Sequence, residues 1–288
     1  MLIFKVMHMK FTAWEARRHI EASYKTALFR LGQRLETFTQ SADSVSELIS
    51  LFHQYAHTKT FEAWAQALAH TFVTHTLEEN ARTWRQAAAK AGQGGTIRRA
   101  LENEMYGPVG RRVDELIAEN ANYIKSVPLI VGEDLTKHIQ TKAYAGSRTA
   151  YDSEEFKAMV GDMSKDHARL ISRTETSKAM SALTQARAEY TGHDWYIWHT
   201  SEDGRVRESH KNMDKVLCRF SDPPAPEELV GEKSAGRYGP GNIYNCRCYA
   251  APVILWRKVE WPHRVYADEK INEMTKKQFT EQFGDDVQ

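Results

Sequence analysis

Residues 195–248 hold side chains whose types and order could do chemistry. A Trp- and Tyr-rich stretch (Trp195, Tyr196, Trp198) leads into Asp203-Gly204-Arg205-Val206-Arg207-Glu208-Ser209-His210, then Met213-Asp214, then Cys218. A Pro-rich run follows, and the segment closes on Pro240-Gly241 and Asn245-Cys246-Arg247-Cys248. Three chemistries deserve weighing. The first is metal binding. His210, Cys246 and Cys248, with Cys218, are soft and borderline donors suited to zinc. Two cysteines one residue apart on a strand would face the same side, so both could reach one ion. Cys-x-Cys is nonetheless a less common ligand spacing than Cys-x-x-Cys, and only one convincing His is near. The bland reading, buried small apolar residues in a final strand, is the one the spacing favours, so no cofactor is expected.

The second chemistry is catalysis: His210 as base, Asp203 or Asp214 as its orienter, Arg205 and Arg207 as phosphate grips, a nuclease-like drawing. With 12 His and 38 acidic residues in the chain, such drawings arise by chance. A buried polar network explains the same residues more simply. Arg173, Glu175, Asp203, Arg205, Arg207, His210, Asp214 and Asn245 would hold loops that lack regular backbone hydrogen bonds. The third is nucleic-acid contact through Arg98-Arg99, Arg111-Arg112 and Lys276-Lys277, which are pairs and not long basic runs. They read as a solvated face, with at most a weak, salt-sensitive DNA contact. There is no Gly-x-x-x-x-Gly-Lys-Ser/Thr, His-Glu-x-x-His or Gly-x-Ser-x-Gly pattern, which disfavours a motor or a common hydrolase.

The elements that must position these residues are mostly helices. Ile20, Tyr24, Ala27, Leu28, Leu31, Leu35 and Phe38 recur at three- and four-residue steps. Phe61, Trp64, Ala65, Leu68, Phe72, Val73 and Leu77 repeat the pattern, and Ser41–Ser44 offers N-caps for a helix from Val45 to His57. Both stripes read as bundle core. Gly92-Gln93-Gly94-Gly95 reads as a linker. Helices are expected at 96–105 and 109–126, the second with Val113, Leu116, Ile117 and Ile124 on one face. Asp152 and Glu155 suggest a capping box, followed by a short helix and a longer one over 163–190. Asp203-Gly204 marks a tight turn, and helix after Val206 would place His210 and Asp214 on one face. Residues 219–242 read as loop, 249–256 as a final strand and 268–282 as a terminal helix.

The order Arg173-Thr174-Glu175, Trp198, Asp203, Arg205-x-Arg207, His210, Met213-Asp214, Pro240-Gly241, Asn245-Cys246-Arg247-Cys248 resembles the homology domain of the phage head morphogenesis proteins. These are the minor head proteins typified by protein F of phage Mu. The segment 120–128 resembles what precedes that domain in the family, and the likeness spans roughly 115–255. One departure stands out: Lys215 follows Met213-Asp214 where the family usually has Gly, which puts the tight turn there in question. The resemblance implies a structural, non-enzymatic minor component of a tailed-phage or prophage head. Such a protein is associated with the portal vertex and with major capsid or scaffolding protein, and is assembled in the host bacterial cytoplasm. Its role would be head morphogenesis, with packaging or ejection of DNA as further possibilities. A metal-dependent nuclease or an injected effector is the competing class.

Bulk properties agree. The 288 residues carry 39 basic and 38 acidic side chains, a net charge of +1, so no global field attracts DNA or membrane. Three cysteines cannot form a complete disulfide framework. The apolar start Met1–Met7 is broken by Lys5 and reads as neither signal peptide nor span, so no membrane is expected. The expected fold class is α+β: a helical partner-docking region over 1–92, a helical connector over 93–150, and the homology domain over 151–260. That domain would carry a short antiparallel sheet and long Pro/Gly-rich loops, with a tail over 261–288.

Overall fold

A computed structural model describes residues 14–144 and 151–284; the apolar start lies outside the described residues. The α+β class holds: helices fill the first two thirds, and a small sheet follows. Helix α1 (Arg18–Phe38) follows Arg17 without a side-chain cap, whereas α2 (Val45–Ala56) and α3 (Lys59–Lys90) start where the sequence supplies one. Ser44 accepts from the Glu47 amide at 3.2 Å while Glu47 reaches back to the Asp43 amide at 2.8 Å, and Thr58 accepts from Phe61 at 3.2 Å. Between α3 and α4 (Gly94–Glu102) the chain makes a tight turn where a linker was expected. Gly92 takes φ 75 there, the Gln93 amide returns to the Ala88 carbonyl at 2.9 Å, and Gly94 and Gly95 begin the next helix.

Helix α5 (Pro108–Tyr144) starts with Pro at its first position and runs through Pro128, well past the end expected at 126. An interior proline costs ~3 kcal/mol or more. Val127, Val131 and Leu135 continue the stripe of Val113, Leu116 and Ile124 into the core, so burial on both sides of Pro128 offsets that cost. Likewise the two helices expected after Asp152 are one, α6 (Ser153–Tyr190), capped by Asp152 accepting from Glu154 and Glu155.

The main core is shared by α1, α2, α3, α5 and α6. It runs across the expected boundaries at 92 and 150, because α6, which carries the Arg-Thr-Glu motif, is itself a wall of the bundle. At the α1–α6 contact, a Cβ on Gly32 would sit 2.8 Å from the Cβ of Ser164, so only glycine permits that approach. Trp64, one member of the second apolar stripe, stays exposed beside Phe61.

The sheet has the order β3-β1-β2-β4-β5, built from β1 (Trp195–His199), β2 (Leu217–Arg219), β3 (Tyr249–Pro252), β4 (His263–Ala267) and β5 (Lys270–Met274). It is mixed, where an antiparallel sheet was expected: β2 and β4 run parallel, with Leu217 opposite Val265. Pro252 fits in β3 because that strand is an edge. The strand at 249 is not the last one. The expected tail contributes the β4–β5 hairpin and then α8 (Lys276–Phe283), which Thr275 and Gln278 cap reciprocally. Phe279 of α8 packs on Trp195, Trp256 and Trp261 across one sheet face, so this segment is core. The other face packs Tyr196, Trp198, Met213 and the three cysteines against Trp84 and Ala188 of the bundle.

Candidate functional site

The motif residues assemble where α6, the connection between β1 and β2, and the segment leading into β3 meet. After β1 the chain turns at Asp203, whose carbonyl accepts from the Val206 amide at 3.2 Å, and then enters the short helix α7 (Glu208–Met213). Asp214 does not pair with His210. It closes the far end of this excursion by accepting from the Thr200 amide at 2.8 Å and the Thr200 hydroxyl at 3.1 Å. Lys215, the departure from the family pattern, has φ 60, the left-handed region that favours glycine, and its amide donates to the Trp198 carbonyl at 2.8 Å. The turn survives the substitution, carried by a strained lysine.

The Pro240-Gly241 step is fixed by α6. Ser181 donates to the Pro240 carbonyl at 2.7 Å. Gly241 adopts φ 87, with its would-be Cβ 3.1 Å from the carbonyls of Ser177 and Cys248. No larger residue could bring this loop so close to the helix backbone. Asn245 follows at φ 56, a conformation Asn tolerates, and its amide donates to Thr174 Oγ1 at 3.3 Å. In the Arg-Thr-Glu motif, therefore, the middle residue helps hold the Asn-Cys-Arg-Cys segment, from its backbone side.

At the centre lies His210, only 2% exposed. Its Nδ1 is 3.5 Å from the Cys246 sulfur and 3.4 Å from the Cys248 sulfur, and both cysteines are buried. Its Nε2 meets the Tyr238 hydroxyl at 3.0 Å, and that hydroxyl donates to Glu227 Oε1 at 2.5 Å. Trp198 packs edge-on against the imidazole. The two thiols share a hydrogen bond that holds Cys246 below the usual thiol range, helped by His210, and pushes Cys248 well above it. Burial followed by the bond to Glu227 keeps the Tyr238 phenol protonated. A cavity of about 220 Å³ opens on the cluster, with Asp203, Arg205, Arg207 and Arg247 on its walls.

Of the remaining expected network residues, Arg173 and Asn245 meet side chain to side chain, while the others find partners elsewhere. Asp203 pairs with Arg247, a residue the sequence reasoning left out of the network, and also accepts from the Arg205 amide at 3.0 Å. Desolvation works against its charge, but that amide and the neighbouring guanidiniums hold its carboxyl below the ordinary range. Arg205 is exposed, and Arg207 reaches out to the Tyr244 carbonyl at 2.9 Å. Arg173 contacts Asn245 Oδ1 at 3.4 Å and Glu21 at 3.8 Å. Glu175 faces away, buried between α6 and the bundle with Lys178 at 3.3 Å, and burial raises its carboxyl pKa despite that lysine. Cys218 lies on β2 beside Tyr196, apart from the cluster, and burial pushes its thiol up.

Tyr238, Glu227, Thr174 and Thr200 were also missed. Thr174 lies inside the Arg-Thr-Glu motif, and Tyr238 sits in Gly-Arg-Tyr-Gly-Pro-Gly just before the Pro-Gly step. The others carry no local signal.

Bundle, mixed sheet and buried thiol–imidazole cluster together define a two-part α+β chain whose motif residues mainly lock loops onto a long helix. Residues 132–251 match the family described as Phage Mu protein F like protein, so the resemblance read from the motifs holds over that segment. The match covers the last third of α5, all of α6, and the chain into β3; β4 and β5, which complete the sheet, lie beyond it. An uncharacterized protein of Haemophilus influenzae is 32% identical over 146 residues, which is 51% of this chain. The chain spans 30% of that relative's own length. No solved structure matches.

Proposed function

We propose that the chain is a minor head protein of a tailed phage or prophage, acting in head morphogenesis at the portal vertex. The observation that carries this is the family match over 132–251, inside which the fold brings His210, Cys246 and Cys248 together. The reading extends to a virion location, and to portal and capsid or scaffolding protein as partners. A structural role suits the cluster. Both ring nitrogens of His210 are engaged, by thiols on one side and a phenol on the other, which leaves no free nitrogen for a general base. Among the described residues no helix is long and apolar enough to cross a membrane.

The test is co-expression of the full chain with the portal protein of the same genome, followed by affinity capture of either one. Co-purification at a defined stoichiometry is expected, together with heads that fail to mature when the gene is deleted. Capture of neither by the other, with normal heads from the deletion, would refute the reading. A truncation lacking residues 1–90 is the wrong reagent, because it removes α1, α2 and α3 from the shared core.

A further inference from the structure

We propose that His210, Cys246 and Cys248 bind one zinc ion through Nδ1 and the two sulfurs, with the fourth position filled by solvent from the adjoining cavity. This departs from the metal-free expectation drawn from the spacing, and it rests on the geometry of the cluster, independently of any role in a phage head. In the sequence, Cys-x-Cys is an uncommon ligand spacing with a single His near it, and nothing local brings the two together. The fold does, by bringing α7 against the segment entering β3.

Three observations converge. The first is distance. Zinc–nitrogen and zinc–sulfur bonds of about 2.0–2.1 and 2.3 Å at tetrahedral angles place donor atoms roughly 3.5–3.8 Å apart. Here Nδ1 lies 3.5 and 3.4 Å from the two sulfurs, and all three donors fall within 4.8 Å of one another. Both nitrogen–sulfur separations therefore already fit an ion, and drawing the two sulfurs onto it completes the set. The second is donor chemistry. Two thiolates with one imidazole select zinc among the common divalent ions, whereas carboxylate-rich sets select magnesium or calcium. The third is the outer shell. A ligating histidine usually gives its other N–H to an oxygen that fixes its tautomer. Here Nε2 meets Tyr238, and the phenol passes the chain on to the buried Glu227.

The plain-core alternative explains buried cysteines, as Cys218 shows, but not an imidazole held against two of them and aligned from behind. The ion would tie α7 to a segment 36 to 38 residues further on, in a stretch poor in regular backbone pairing.

The test uses the full chain, expressed in zinc-supplemented medium and purified under reducing conditions. Elemental analysis should find one zinc per chain. Cys246→Ser and Cys248→Ser should each lose most of it, and Cys218→Ser should retain it. Should the serine variants fail to fold, cobalt exchanged into the wild-type chain supplies a second readout. Thiolate ligation gives strong thiolate-to-cobalt charge-transfer absorption in the near ultraviolet. A metal-free chain, zinc loss from Cys218→Ser equal to that of the other two, cobalt without that absorption, or a Cys246–Cys248 disulfide after reducing purification would each overturn the proposal.

Discussion

At the scale of single residues, Lys215 is a built-in liability. A non-glycine residue in the left-handed region costs about 1–2 kcal/mol, and glycine's extra freedom in the unfolded chain returns part of that. Lys215→Gly is therefore expected to stabilise the protein by about 1 kcal/mol, read as a rise in Tm by calorimetry; an unchanged or lower Tm would contradict the strain. Glu175 carries a different cost. Burial raises its folded-state pKa above the ordinary 4.5, and one carboxylate oxygen is buried without a hydrogen-bond partner. The folded state then binds more protons than the unfolded state between those two pKa values. Stability is full below 4.5 and declines as pH rises through the folded pKa. Glu175→Gln should remove that decline and be the more stable protein at neutral pH, which urea titrations at acidic and neutral pH will show. Asp203 marks the opposite case. Its ion pair with Arg247 is about one-third exposed on the Asp side, so Asp203→Ala should cost only about 1 kcal/mol. That is far below the several kcal/mol the buried-network expectation implied.

At the scale of elements, the large electrostatic stake lies between helices. Arg187 of α6 is fully buried and grips Glu104 with two bonds of 2.7 Å while donating to Asn80 of α3. Asn80 in turn donates to Thr184 at 2.8 Å. Arg187→Ala would leave the Glu104 carboxylate buried and unpaired, at a cost of about 3–5 kcal/mol in chemical denaturation. A loss under 1 kcal/mol would mean that water reaches Glu104. No sequence pattern announced this clamp, because Arg187 and Glu104 are 83 residues apart and each looks like an ordinary helix-surface charge. Helix faces were legible, since 3.6-residue periodicity is local: the buried residues of α1 belong to its stripe except Gly32, while Ala27 and Phe38 of the stripe stay half-buried. Helix ends were less so. Pro128 and the two glycines of α4 are breakers on propensity alone, and tertiary burial overruled them. The loop-locking motifs were legible as motifs but not in their pairings. Asp203 found Arg247 and not Arg205 or Arg207, and Asp214 found Thr200 and not His210. A sequence shows which residues can pair, whereas the approach of separate segments decides which do.

At the scale of the whole molecule, the bundle and the motif-bearing region share α6, so neither stands without the other. Full-length protein is expected to unfold in a single transition by circular dichroism and by tryptophan fluorescence. Two separated transitions would show that the sheet is an autonomous unit. The near-balance of 39 basic and 38 acidic residues sets a further expectation. DNA binding at physiological salt should be no tighter than the non-specific range of about 10⁻⁴–10⁻⁶ M, measured by fluorescence anisotropy. The parallel pairing of Leu217 with Val265 also bears on how the chain emerges during synthesis. A ribosome that has delivered β1, β2 and β3 still holds back the partner of β2, since β4 begins only at His263. Until then one side of β2 offers unpaired amides and carbonyls to any passing strand. A nonsense codon just before His263 would make that interval permanent. Such a product, with every motif residue present, should collect in inclusion bodies with other polypeptides stacked on its open edge.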